Sequence, residues 1–124
     1  GIQVVPLVGP SSILLALMAS GMNGQSFAFT GYLPIDKNEK KSALRNLEKW
    51  SQEKNQAQLF METPYRNNKF LEDILTTLHP QTNLCIACDV TLPTEFIKTK
   101  TVNDWKKQKV DLHNRPCIFI IHKM

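Results

Sequence analysis

Residues 4–21 read VVPLVGPSSILLALMASG, and the way this stretch folds organises everything after it. The VVPLV run reads as a buried strand and Gly9-Pro10 as a tight turn. Ile13, Leu14, Leu15, Leu17 and Met18 then form a short apolar helix. Ser11 and Ser12 follow the turn directly, where a side-chain oxygen caps the free N–H groups of a first helical turn. Gly21 stands where a left-handed residue ends a helix. Such a helix start offers unpaired N–H groups and the positive end of the helix dipole, so it accommodates a polar or anionic ligand group. On physics alone the expectation is an ordinary capped core helix.

Outward from this stretch, Asn23-Gly24 is a turn pair, and Phe27, Phe29 and Tyr32 mark a strand over 26–32. All five glycines fall at or before Gly31, so no dinucleotide fingerprint or phosphate-cradling glycine loop occurs beyond it. Asp36, with Glu39 at capping-box spacing, opens a helix over 37–53. Its apolar stripe is Ala43, Leu44, Leu47 and Trp50, with Trp50 expected as a core anchor. A short buried strand over 58–61 follows, and Thr63-Pro64 caps and opens a helix whose face is Phe70, Leu71, Ile74, Leu75 and Leu78. Residues 84–88 read as a buried strand and 95–99 as a strand with one wet face. Thr101 and Asp104 cap a short helix holding Trp105. The unbroken apolar run 117–121 predicts a central strand covered on both faces. Strands and helices alternate, which predicts an α/β (α+β) domain: a mixed sheet of about five strands flanked by helices.

A chain of 124 residues with 42% hydrophobic and 21% charged residues fits one globular domain over residues 1–124. No apolar run approaches the roughly 20 residues that span a bilayer, and no membrane partner is expected. The net charge of +4 is a mild basic bias. Lys37, Lys40, Lys41, Arg45, Lys49 and Lys54 cluster on one helix, and Lys98, Lys100, Lys106, Lys107 and Lys109 cluster later. Interspersed Glu39, Glu48 and Glu53 favour a solvated lysine-rich surface over a nucleic-acid face. Three cysteines, an odd number, point away from a disulfide framework and towards a reducing, cytoplasmic setting. Cys85 and Cys88 form a C-x-x-C pair, but on a strand they point to opposite faces and cannot share a metal, so no metal site is expected. The chain opens at Gly1 and runs straight into a strand, which reads as a fragment of a longer protein.

In α/β sheets, ligands collect where strands end and helices begin. Three such junctions carry polar residues: Ser11-Ser12, Met61-Glu62-Thr63 and Asp89-Val90-Thr91. Each also reads as an ordinary cap or turn. His79, His113 and His122 have no serine or carboxylate at a recognisable spacing, which argues against a hydrolytic triad.

Four segments in order resemble the second domain of the tetrapyrrole-methylase superfamily. They are GIQVVPLVGPSS (1–12), SFAFTGYLP (26–34), LFMETPYR (59–66) and CIACDVTLPTEF (85–96). Within that superfamily the pattern at 60–66 and the GYLP segment are most similar to the branch that 2′-O-methylates small-subunit ribosomal RNA. The resemblance implies S-adenosylmethionine as cofactor, with Ser11, Ser12, Met61, Glu62 and Asp89 at its contact positions. It offers Glu62, Arg66 and Glu95 as catalytic candidates without naming a base. It also implies an N-terminal domain as partner, completing a cleft between two domains, and ribosomal RNA as acceptor. The alternatives are a tetrapyrrole (uroporphyrinogen or corrin) C-methyltransferase and a non-catalytic interaction domain. Three departures stand out: Val8 for a proline, Met61 for a tyrosine, and a run 87–92 lacking the family's arginine and lysine. The expectation is that this chain alone folds but neither binds the cofactor tightly nor transfers methyl groups, and that Ile2, Val4 and Val5 lie on an exposed apolar face that favours a homodimer.

Overall fold

The computed structural model describes residues 13, 15–17, 20, 21 and 26–123. Ser11, Ser12, the strand expected over 4–8 and the face at Ile2, Val4 and Val5 lie outside them.

The elements run β1 (Phe27–Tyr32), α1 (Lys37–Glu53), β2 (Ala57–Met61), a 3-10 turn (Pro64–Arg66), α2 (Asn67–Thr77), β3 (Asn83–Cys88), β4 (Phe96–Thr101), α3 (Val102–Trp105) and β5 (Cys117–His122). The strands form one five-stranded mixed sheet in the order β1-β2-β5-β3-β4. β1 and β2 are parallel, with α1 as the crossover between them. β5 runs antiparallel between β2 and β3, and β4 pairs antiparallel with β3 at the edge. All of β5 is buried, as its unbroken apolar run predicts.

Leu44, Leu47, Phe70, Ile74, Val102 and Trp105 cover one face of the sheet, packing on Phe60, Leu84, Ile86, Phe119 and Ile121. Phe70 meets both Phe60 and Phe119 edge-on, at 5.7 and 5.1 Å between centroids. Trp105 is buried here because its indole N–H reaches the Leu84 carbonyl at 2.8 Å. Ala16 and Leu17, in the helical part of the opening stretch, cover Leu59, Cys85, Ala87, Ile118 and Ile120 on the other face.

The expected caps hold for two helices. Asp36 accepts from the Glu39 N–H at 3.0 Å, and Thr101 from the Asp104 N–H at 3.2 Å. Thr63 makes no side-chain cap, and Pro64 opens a 3-10 turn, not the α-helix itself. β1 contains a bulge: the register passes from Phe29↔Leu59 to Gly31↔Phe60. Gly31 lies at φ +83°, a conformation that the lack of a Cβ makes accessible.

Three further expectations are corrected. Trp50 is 44% exposed, with the Lys54 ammonium over its ring, because its place in the stripe falls past the edge of the core. It lines an open cavity of about 230 Å³ with Tyr32, Pro34, Ala43 and Asn46, on the outer side of β1 and α1. Lys40 is buried, not part of the solvated lysine face. Cys88 and Cys117 are joined in a disulfide, because β5 pairs antiparallel with β3 and sets them directly opposite, with Cα atoms 4.1 Å apart. Cys85 stays free on the opposite face, and burial pushes its thiol up to about 11. Alkylation in denaturant is expected to label Cys85 alone without reductant and all three cysteines with it; equal labelling in both would exclude the bridge.

His122 is buried at the end of β5, and burial pushes its imidazole below the ordinary value. The native state therefore resists a proton that the unfolded chain takes up from about pH 6.5 downward. Its contribution to stability is present above that pH and is lost as pH falls below it. Thermal melts at pH 7.5 and 5.5 check this, since His122→Asn should lose less stability across that interval than the unaltered chain.

Candidate functional site

The registers place the C-terminal ends of β1, β2 and β3 on one edge of the sheet, beside the starts of β4 and β5. Tyr32 pairs with Met61, and Cys88 with both Phe96 and Cys117. Two of the three polar junctions expected from the sequence, Met61-Glu62 and Asp89, therefore share this edge. The third, Ser11-Ser12, lies outside the described residues.

Glu62 follows β2 and is buried. One carboxylate oxygen accepts from the Thr63 N–H at 2.8 Å, and the other lies 3.4 Å from the Lys40 ammonium. Lys40, in the first turn of α1, also approaches Asp73 of α2 at 3.8 Å and stands over the Phe70 ring. Lys69 closes the cluster 3.5 Å from Asp73. Two cations and two carboxylates thus balance, three of them in the interior. Both Glu62 oxygens face inward partners, so the geometry makes Glu62 a tether of the strand end.

Asp89 lies just beyond β3 at φ +52°, which aspartate tolerates better than most residues. Its Oδ2 accepts from Arg115 Nε at 2.9 Å and from the Thr94 hydroxyl at 2.8 Å. Arg115 also donates to the Thr94 carbonyl at 2.9 Å. Thr91, at φ +73°, is a β-branched residue in the left-handed region, a strain of order 1–3 kcal/mol. The Glu95 carboxylate offsets part of this by accepting from the Thr91 N–H at 2.8 Å. Glu95 precedes β4 and is exposed.

Hydrogen bonds join the two junctions. Asn114 N–H donates to the Pro64 carbonyl at 3.0 Å, and the Asn67 side-chain amide donates to the Arg115 carbonyl at 2.6 Å. Arg66 lies on the 3-10 turn between them, its guanidinium 5.0 Å from the Tyr65 ring centroid. Sequence reasoning missed Lys40, Arg115 and Thr94. No local pattern marks the first as buried. The only signal for Arg115 is its place beside Pro116-Cys117, at the start of an antiparallel central strand. Among the described residues, no three His, Cys, Asp or Glu side chains are grouped to hold a metal.

Fold and strand-edge geometry define this as an α/β domain that gathers polar residues at one edge of a five-stranded mixed sheet. The methyltransferase CobJ superposes with a TM-score of 0.57 at 16% identity, over 90% of this chain and 47% of that one. No family model matches. In sequence, the chain is 35% identical over 98 residues to the ribosomal RNA small subunit methyltransferase I of Vibrio cholerae, covering 79% of the chain and 33% of that protein. It is 29% identical to the protein of the same name from Buchnera aphidicola over 97% of the chain, and 28% identical to that of Escherichia coli O157:H7 over 98%. The chain is thus related to the ribosomal RNA small subunit methyltransferase I proteins, as its motifs indicate, and it spans about 33–42% of their length.

Removing Lys40 would leave Glu62 and Asp73 facing each other without their buried cation. Lys40→Met is expected to lower the unfolding free energy by about 3–5 kcal/mol in urea titrations. A change under about 1 kcal/mol would place the ammonium in water.

Proposed function

We propose that this chain is the C-terminal domain of a two-domain, S-adenosylmethionine-dependent enzyme that 2′-O-methylates small-subunit ribosomal RNA. The carrying observation is the 35% identity to the Vibrio cholerae protein across most of the chain. An N-terminal domain would supply the other wall of the cofactor cleft, in keeping with the greater length of the relatives. Work on ribosomal subunits would place the enzyme in the cytoplasm, and among the described residues no helix is long and apolar enough to cross a membrane. A homodimer is part of this reading, with the exposed Phe27 and Phe29 of edge strand β1 as the surface that favours it.

The described residues fit the cofactor in part. Met61 would give an apolar contact at the end of β2, and the backbone around Glu62 and Asp89 would offer polar groups at neighbouring strand ends. Ser11 and Ser12 are retained as contacts. The Glu62 and Asp89 carboxylates would act through what they hold, the Thr63 N–H and the Arg115 guanidinium, so their part is to fix the two loops. S-adenosylmethionine supplies a methyl group on a sulfonium, ready for in-line displacement. The protein's task is then to align the ribose 2′-hydroxyl and exclude water. Of the catalytic candidates, Arg66 is a cation suited to binding, and Glu95 is occupied by Thr91.

The test is methyl transfer by the full-length enzyme to 30S subunits and, in parallel, to a tetrapyrrole. Transfer to 30S alone is expected; transfer to the tetrapyrrole alone would overturn the assignment. Calorimetry on the 124-residue chain should show no binding of S-adenosylmethionine at micromolar concentration, since a single wall leaves a ligand of this size mostly in water. Micromolar or tighter binding would show a self-sufficient site.

A further inference from the structure

The turn that leaves β2 presents two side chains, Tyr65 and Arg66, that make no hydrogen bond or ion pair with the other described residues. Tyr65 is 55% exposed. The Arg66 guanidinium lies on its ring and, among the described residues, has no carboxylate partner. The neighbouring cations are all committed: Lys40 to Glu62 and Asp73, Lys69 to Glu72 and Asp73, and Arg115 to Asp89.

The backbone beneath this pair is held by a proline and three hydrogen bonds. Pro64 fixes φ at the first position of the turn. Thr63 N–H is bound to Glu62, Arg66 N–H to the Thr63 carbonyl at 2.8 Å, and the Pro64 carbonyl to Asn114 N–H. Glu62 is anchored in turn by the buried Lys40. An aromatic ring and an unpaired guanidinium are thus pre-positioned on the edge of the sheet where strand-end ligands bind.

We propose that Tyr65 and Arg66 are an RNA contact, in which Tyr65 stacks on an unpaired base near the methylated nucleotide and Arg66 bonds the adjoining phosphate. This rests on the ribosomal RNA reading above. A tyrosine ring has two faces, so one can carry the guanidinium while the other takes a base. A guanidinium stacked on a ring still directs its N–H groups outward to phosphate oxygens. Such a contact is tolerant of base identity and positions the strand without reading its sequence.

The experiment uses the full-length enzyme, with 30S subunits as substrate and a short unpaired RNA spanning the methylated nucleotide as binding probe. Tyr65→Ala is expected to raise KM for 30S and Kd for the RNA by roughly 5- to 100-fold, with kcat and cofactor affinity unchanged. Tyr65→Phe should rescue that loss, because stacking uses the ring and not the hydroxyl. Arg66→Ala should weaken RNA binding and lower the slope of log affinity against log salt by about one. Wild-type KM and salt slope in both alanine variants would overturn this contact and leave the methyltransferase reading standing. A loss confined to cofactor affinity would also overturn it, assigning the pair to the cofactor wall. A wild-type enzyme inactive on 30S would defeat the reading of function, and the contact with it.

Discussion

One buried ammonium holds together three elements of this domain. Lys40 leaves the first turn of α1, passes over Phe70 of α2, and ends between Asp73 of α2 and Glu62 at the end of β2. Bringing these charges out of water costs several kcal/mol per ion, and mutual attraction repays it only when each group is met by opposite charge or a hydrogen-bond donor. That condition holds here: Lys69 adds the second cation, and the Thr63 N–H takes the remaining Glu62 oxygen. Such a cluster adds less stability than an apolar plug of the same size would. Its effect is geometric, since only one arrangement of α1, α2 and the β2 end satisfies all the partners.

The site depends on that arrangement. Met61, Thr63 and the 3-10 turn are positioned by Glu62, and the turn then pins Asn114 through the Pro64 carbonyl. From there the contacts pass through Arg115 to Asp89, on the far side of the central strand. The Cys88–Cys117 bridge lies immediately beneath Asp89 and Arg115, joining the two strands from which they emerge. The loops at the sheet edge are therefore braced from below and from side to side. Under the proposed function such bracing would keep a hydroxyl aligned for in-line attack, because small misplacements of reacting atoms cost large factors in rate.

Periodicity and turn chemistry by themselves determined most of the architecture. The stripe Leu44, Leu47 and the stripe Phe70, Leu71, Ile74 marked the two long helices, Asp36 and Thr101 marked two starts, and the 117–121 run marked the central strand. These are local signals, carried by residues within one or two turns of each other. The strand-end logic also placed Met61-Glu62 and Asp89 at the ends of strands, and the registers set those ends on one edge of the sheet. What only the tertiary structure decided depends on register between distant segments. Cys88 and Cys117 are 29 residues apart, and only the antiparallel insertion of β5 beside β3 brings their side chains together. Lys40 reads like every other lysine of α1 until α2 and the β2 end close over it. Trp50 fits the helical period yet stands in solvent, because a stripe shows which face turns inward but not how far the core extends beneath it. Period and capping are properties of a single element. Pairing partners and depth of burial belong to the packed assembly, and no stretch of sequence contains them alone.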